Sequence, residues 1–466
     1  MSFHFKKLGL ALALTGSLAG CSAVVKTPYN SPSVQVPQQF QYDVQKNKNV
    51  NLSDQWWTLF NDAQLNQLVE QVLAKNSDLI VAGITLKQAR LQAGLAENQQ
   101  GFRTSSSVST GHNYDLRSGN GTDRGLSTSV GVSYELDLFG KLANQTEASR
   151  WEALASAQDL QATAQSLVAT TAKLYWQLGY LNERYNTIQQ NLASTQKIYE
   201  LVQSQYKAGA VSGLDLTQAE QSVQSQKASL SQIEQQRVET RTAIAVLLHM
   251  PVQQLSIQEP KQLPRNALPN IAVGLPADIL SRRPDLQASE LRLRKTLATK
   301  DATKASYYPS INLTGNLGAS STSLTQLLKN PALTLGASLS LPFLQYNDMK
   351  KDIAISDLEY EKAIIQYRQT LYQAFADVEN ALSNRTQLNQ QVQLQQRNVE
   401  LANKTERLTE VRYRNGAIAL KNLLDAQETT RNARLSLVET KQNQYNAYVT
   451  LMQALGGSPV KELSEQ

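Results

Sequence analysis

The side chains that could do chemistry in this sequence are few and scattered. Its one cysteine, Cys21, closes the tetrapeptide Leu18-Ala19-Gly20-Cys21. That is a lipobox, and the chemistry it predicts is acylation: a diacylglycerol thioether plus an amide-linked acyl chain. More than two hydrocarbon anchors are enough for stable membrane attachment. Ser22 follows Cys21, not the Asp that typically retains lipoproteins at the inner membrane, so the expected address is the outer membrane. Past the leader, His112 and His249 are the only histidines, far apart and without ligand spacing. No Walker A, G-x-S-x-G, H-E-x-x-H or paired-cysteine motif is present. The sequence therefore predicts no catalytic residue, no metal site and no cofactor beyond the lipid on Cys21. It reads as a passive conduit, not an enzyme, and any transport must be powered elsewhere.

The elements that would hold such a conduit are written twice. Tyr206-Lys-Ala-Gly209-Ala210-Val211 returns about 207 residues later as Tyr413-Arg-Asn-Gly416-Ala417-Ile418. At the same offset Asp78, Leu79 and Leu86 return as Asp285, Leu286 and Leu293. Solenoid units run about 20–50 residues, so this longer period predicts a duplicated half-molecule. Each half has one order of parts: a short amphipathic helix, two alternating strands, a very long heptad helix, a Gly turn and a second long helix.

Composition agrees with elongated helix pairs. There are only 8 Phe in 466 residues, too little bulky apolar material for several large cores. The formal net charge is +6, of which Lys6 and Lys7 belong to the leader. The remaining positive charges are spread along helices instead of clustered, which argues against nucleic acid as a partner. Residues 1–20 form a secretory signal, with Lys6-Lys7 ahead of the apolar run Leu8–Leu14. The stretch after Cys21 is polar and carries Pro28, Pro32 and Pro37, an extended tether.

Two segments in each half alternate with period two. In Leu126–Leu136, Leu126, Thr128, Val130, Val132, Tyr134 and Leu136 share a face, with Ser127, Ser129, Gly131, Ser133 and Glu135 opposite. Its partner, about Thr104–Tyr114, alternates more weakly across a loop over 115–125. In the second half Ile311, Leu313 and Leu317 alternate with Asn312, Thr314 and Asn316, and Leu333, Leu335 and Leu339 with Thr334, Gly336 and Ser338. Strands of about ten residues with apolar-out, small-polar-in alternation are the membrane-barrel pattern. Phe102, Phe139, Tyr307, Tyr308 and Phe343 gather at the strand ends nearest the helices, as an interfacial girdle would. Four strands cannot close a barrel, and an open edge in lipid leaves backbone groups unpaired. Three copies, a homotrimer, would give twelve strands. His112 then reads as a pore or rim residue.

The long helices carry heptads. Leu160, Leu167, Leu174, Leu181, Ile188 and Val202 fall on one seam, and Ile364, Leu371, Val378, Val392 and Val399 on its counterpart. At 1.5 Å per residue each helix would reach roughly 90–100 Å.

These residues together resemble the TolC family of outer-membrane efflux proteins, its OprM-like lipoprotein branch in particular. The motifs that carry the resemblance are the lipobox, Trp56-Trp57-x-x-Phe60, Tyr134-Glu-Leu-Asp-Leu-Phe-Gly140, Leu280-Ser-Arg-Arg-Pro-Asp-Leu286, Tyr308-Pro-Ser-Ile311 and Leu424-Asp-Ala-Gln427. In that order and spacing they cover nearly the whole chain. The resemblance implies an α+β membrane protein: a trimeric 12-stranded β-barrel continuous with a long antiparallel coiled-coil tunnel in the periplasm. The implied partners are a periplasmic adaptor, an inner-membrane pump of the resistance-nodulation-division class, and outer-membrane lipid. Residue boundaries follow from the two readings together. Residues 1–20 are signal peptide, 21–53 lipidated tether, 54–101 first-repeat helices, 102–140 first β-hairpin and 141–260 first long helical hairpin. Then come 261–306 linker and second-repeat helix, 307–345 second β-hairpin, 346–457 second long helical hairpin and 458–466 tail.

In OprM-like proteins an Asp of the Leu-Leu-Asp-Ala-Gln motif narrows the periplasmic gate. The resemblance puts that role on Asp425. A Leu and an Arg usually flank it, four before and three after; here Lys421 and Glu428 stand there. Gly209 and Gly416 are turn glycines first. With Ala210 and Ala417 they would also form the adaptor-docking tips. The expected function is the outer-membrane channel of a tripartite efflux system for drugs or other small molecules. The alternatives are the same channel in type I protein secretion or metal-ion efflux, and a periplasmic coiled-coil lipoprotein without a pore.

Overall fold

The alternating runs are strands, and the ladder between them settles which side chains share a face. The structure, a computed structural model, describes residues 25–42, 53–114, 121–264, 268–269, 282–321, 324–329, 331–457 and 459–460. The signal peptide and Cys21 lie outside the described residues. β1 (Arg103–Tyr114), β2 (Gly121–Leu136), β3 (Ser310–Ser321) and β4 (Pro331–Ser340) form one antiparallel sheet in the order β1-β2-β3-β4. Val130 pairs with Ser106 and Leu317, and Leu317 with Leu333. Val132 pairs with Thr104 and Gly315, and Gly315 with Leu335. Paired residues point to the same side, so Val130, Val132, Leu313, Leu317, Leu333, Leu335 and Leu339 make one apolar face, and all seven are exposed. The other face carries Ser107, Ser129, Gly131, Thr314 and Asn316. Its hydroxyls bond across strands, Ser107 to Ser129 at 2.9 Å and Ser109 to Ser127 at 2.7 Å.

One boundary departs from the sequence reading. β2 begins at Gly121, inside the segment 115–125 expected to be loop. Backbone pairing of Gly111 with Gly125 and of His112 with Arg124 extends the ladder there. The extension uses main-chain groups, which have no hydrophobic alternation to reveal them.

The helices are α1 (Ala63–Lys75), α2 (Ser77–Asn98), α3 (Lys141–Lys207), α4 (Gly213–Leu247), α5 (Pro284–Ser306), α6 (Tyr346–Arg414) and α7 (Leu420–Ala454). α3 and α6 run unbroken for 67 and 69 residues. Along α3 the heptad residues Leu160, Leu167, Leu181, Ile188 and Val202 are buried, and along α6 Leu371, Val378 and Val392. Local chemistry sets the starts. Asp62 accepts from the Gln64 and Leu65 amides at 3.0 and 3.2 Å and so caps α1. The Asn76 side chain does the same for α2, accepting from the Asp78 amide at 2.9 Å.

The chain packs as two units. One gathers the described residues of Met1–Val34, Ile84–Gln158 and Gln287–Thr370, and contains the sheet. In it the ring pairs Phe102–Tyr134 and Phe139–Tyr308, 5.0 and 4.7 Å between centroids, sit at the helix-side ends of the strands. The other holds the described residues of Gln35–Gly83, Asp159–Leu286 and Leu371–Gln466. Its core is aromatic: Phe60 lies 4.6 Å from Trp176 and 5.0 Å from Tyr448, with Trp56 and Trp57 buried beside it. Arg283 is the main buried charge there. It donates to Asp285 at 2.7 Å, to Asp377 at 3.1 Å, and to the Ala374 and Ala454 carbonyls at 3.4 Å. It thereby ties the start of α5 to α6 and to the carbonyl end of α7.

Candidate functional site

The duplicated Tyr-x-x-Gly-Ala segments end α3 and α6 in the same way. Gly209 and Gly416 adopt φ of +72° and +71°, the left-handed region that glycine enters without steric cost. The Gly209 amide donates to the Tyr206 carbonyl and the Ala210 amide to that of Gln205, both at 2.9 Å. Gly416 to Tyr413 and Ala417 to Arg412 repeat both bonds at the same length. This pair of bonds is the Schellman arrangement, which satisfies the last free carbonyls of a helix and reverses the chain. All four tip residues are exposed, and a Cβ built on either glycine meets nothing within 4 Å.

The two hairpin ends pack on each other. Val202 of α3, Ala219 of α4 and Leu420 of α7 form a buried cluster, flanked by Tyr199, Val211, Leu216, Tyr413 and Leu424. The Tyr413 hydroxyl donates to Gln205 Oε1 at 3.4 Å. Burial, then the nearby Asp215 carboxylate, raises that phenol above its ordinary pKa. The duplication is not perfect here. Ser212 caps α4 in a reciprocal box with Asp215, and the Ser212 hydroxyl and amide hold that carboxyl below its usual range. At the matching place α7 starts from Ala419, which has no capping side chain. Ser212-x-x-Asp215 is a legible capping signal that a search for gate and tip residues passes over.

Asp425 sits one turn into α7. Its Oδ2 accepts from Lys421 Nζ at 2.6 Å, and the two side chains are 58% and 66% exposed. The partner it takes is therefore Lys421, at i−4 on the same helix. Glu428 is exposed on the same helix. Its charge and that of Glu406 oppose the burial that lowers the half-buried Arg431. Gate and tip candidates thus belong to one end of one unit, gathered about the Val202 cluster. The histidines are elsewhere: His249 Nδ1 lies 2.7 Å from the Ser77 hydroxyl, and His112 is on β1 next to a register shift. Among the described residues no group of acidic, His or Cys side chains could hold a metal ion. No described helix is long and apolar enough to cross a membrane.

Comparison with known proteins covers nearly the whole chain. A family model described as "Outer membrane efflux protein" matches residues 68–248 and 275–457. The chain is 30% identical to the "Probable efflux pump outer membrane protein TtgC" of Pseudomonas putida, over 96% of this chain and 95% of that one. It is 28% identical to the "Toxin and drug export protein A" of Aggregatibacter actinomycetemcomitans, over 98% of each. The solved outer-membrane channel OprN superposes with a TM-score of 0.85 at 25% identity, covering 93% of this chain and 99% of that one.

Proposed function

The chain belongs to the outer membrane efflux protein family, and from that premise we propose that three copies build the exit duct of a tripartite efflux system. The observation that carries this reading is the two-faced sheet. Four strands with an apolar side and a hydroxyl-rich side have two outer edges, on β1 and β4. Pairing β4 of one copy with β1 of the next closes twelve strands into a barrel with its apolar side in lipid and its polar side toward a water-filled lumen.

In this reading the helical hairpins hang into the periplasm. Gly209, Ala210, Gly416 and Ala417 form the surface offered to a periplasmic adaptor, behind which an inner-membrane pump of the resistance-nodulation-division class supplies the energy. Cys21 carries the lipid that adds a second hold on the outer membrane. Asp425, braced by Lys421 and followed by Glu428, lines the periplasmic constriction, where a three-fold axis brings three copies together. The duct is passive, and its cargo is drugs or other small molecules. Toxin export is the second reading, and the name of the Aggregatibacter relative, which gives toxin beside drug, favours it.

The test is physical. Protein extracted from outer membranes should migrate as a heat-sensitive trimer and conduct ions in planar bilayers. A monomer without conductance would leave only the coiled-coil lipoprotein reading. Drug efflux against toxin export separates the two cargo readings in a strain lacking the chain.

A further inference from the structure

We infer that the cavity at the helix-side ends of β3 and β4 is the seat of one acyl chain carried by Cys21 of the same protein; the inference rests on the acylation reading above. The cavity holds about 650 Å³ and lies wholly within the sheet-containing unit. Tyr308 and Pro309, just ahead of β3, form part of its wall, as does Phe343, just after β4. Met349 and Ile353 of α6 form the side, and Val25 of the tether enters from the N-terminal direction. The lining is thus mostly hydrocarbon and aromatic ring, on the strand ends whose apolar face continues through Leu313 and Leu339.

The tether is pinned where it meets the cavity. The Thr27 amide and hydroxyl both donate to the Asp301 carboxylate, each at 2.7 Å, and Asp301 is buried. Lys26 pairs with Glu147 at 2.7 Å, and the Arg294 guanidinium lies 4.4 Å from the centre of the Tyr29 ring. Val25 is itself buried. Cys21 is four residues upstream, so at about 3.5 Å per residue the backbone connection to Val25 can span no more than roughly 14 Å. An acyl chain starting there has the cavity within reach.

The charges argue for this occupant over a phospholipid. The two lysines of the lining are each engaged already, Lys26 by Glu147 and Lys304 by Asp357. A phosphate headgroup would have to compete with those carboxylates. A hydrocarbon chain attached to the protein needs no such contact, and its short covalent tether keeps its local concentration at the cavity high.

The test uses the full-length protein in the outer membrane of cells fed a diazirine-bearing palmitate analogue. After irradiation, peptide mapping should join the acylated Cys21 peptide to the segment around Tyr308 or to Met349–Ile353. Filling the space with Ile353→Trp should reduce that cross-link to background by occupying the volume the chain would fill, while label on Cys21 is unchanged. Label on Cys21 with cross-links only to other sites would overturn the seat and leave acylation standing. Labelling of the same segments at the same level in Cys21→Ser would make a membrane phospholipid the occupant, also overturning it. Absence of label from wild-type Cys21 would remove the anchor itself, and the seat with it.

Discussion

Val130 and Ser129 are neighbours in β2 whose side chains leave the sheet on opposite sides, so one substitution made at both positions isolates the effect of facing. Val130 is 55% exposed in the single chain, with Ser106 and Leu317 as its cross-strand partners. In the proposed barrel it meets hydrocarbon. An Arg on the lipid face near mid-bilayer costs about 2–4 kcal/mol, and three copies of Val130→Arg would cost roughly 6–12 kcal/mol if independent. A sum of that size rivals the net stability of a folded protein, about 5–15 kcal/mol. Ser129 lies beside Ser107 and Gly318 on the hydroxyl face. Ser129→Arg would place its charge in lumen water, adding a positive ring to the pore. Heat-modifiable trimer in outer-membrane extracts should therefore collapse for Val130→Arg and stay near wild type for Ser129→Arg. Ser129→Arg should in turn change single-channel conductance and ion selectivity. Equal trimer yields for the two variants would refute the assignment of faces. A soluble sheet with its apolar side on a protein core would also tolerate Ser129→Arg, but it would show no conductance change.

Asp425→Ala should raise single-channel conductance and weaken cation preference, and Lys421→Ala should strengthen that preference by unmasking the carboxylate; unchanged currents in both would make Asp425 an ordinary helix carboxylate. Gly416→Ala meets no neighbour and should lose only the left-handed backbone term, about 1–2 kcal/mol, whereas Gly456→Ala combines φ +82° with a Cβ 2.5 Å from the Arg282 carbonyl oxygen and should lower the melting temperature clearly more. Arg283→Met removes the shared partner of Asp285 and Asp377, whose side chains are 44% and 35% exposed, and should cost about 1.5–3 kcal/mol by denaturant titration; a loss under 1 kcal/mol, roughly what an exposed pair gives, would mean water replaces the guanidinium. Burial pushes the Asp285 carboxyl up, but hydrogen bonding and charge from Arg283 more than offset it and hold the group below its ordinary value. Its contribution is then complete above the unfolded carboxylate pKa, about 4, and fades as pH falls through the lower folded value. Melting temperatures should drop below pH 4, less steeply in Arg283→Met, and parallel slopes would place the acid sensitivity elsewhere.

What could be read in advance follows from the range of the interaction. Period-two alternation is a property of one strand and its solvent, so the faces of β2, β3 and β4 were legible. Heptads report a seam that runs the length of a helix, and Leu160 through Val202 marked α3 without knowledge of its partner. The turn glycines declare a backbone angle that other residues rarely adopt. Long-range polar pairs leave no such trace. Thr27 and Asp301 stand 274 positions apart, and nothing local to either marks the bond. The early start of β2 at Gly121 was hidden for a related reason, because main-chain pairing depends on the partner strand and not on which side chains alternate. At the tips, Gly209 and Gly416 were legible, but the cluster of Val202, Ala219 and Leu420 needs the fold to bring three helices together.

The free outer edges of β1 and β4 have a consequence for inheritance. A subunit that keeps both edges but is otherwise defective still joins its neighbours in the proposed trimer and spoils every assembly it enters. In a cell making sound and defective subunits equally, only about one trimer in eight would be free of the defect. Such an allele would act dominantly, suppressing efflux from a good copy of the gene. An allele whose damage lies in the edge strands would be excluded from assembly and behave as a recessive. Dominance, scored in a merodiploid by drug resistance alone, would therefore sort lesions by whether they leave the sheet edges intact.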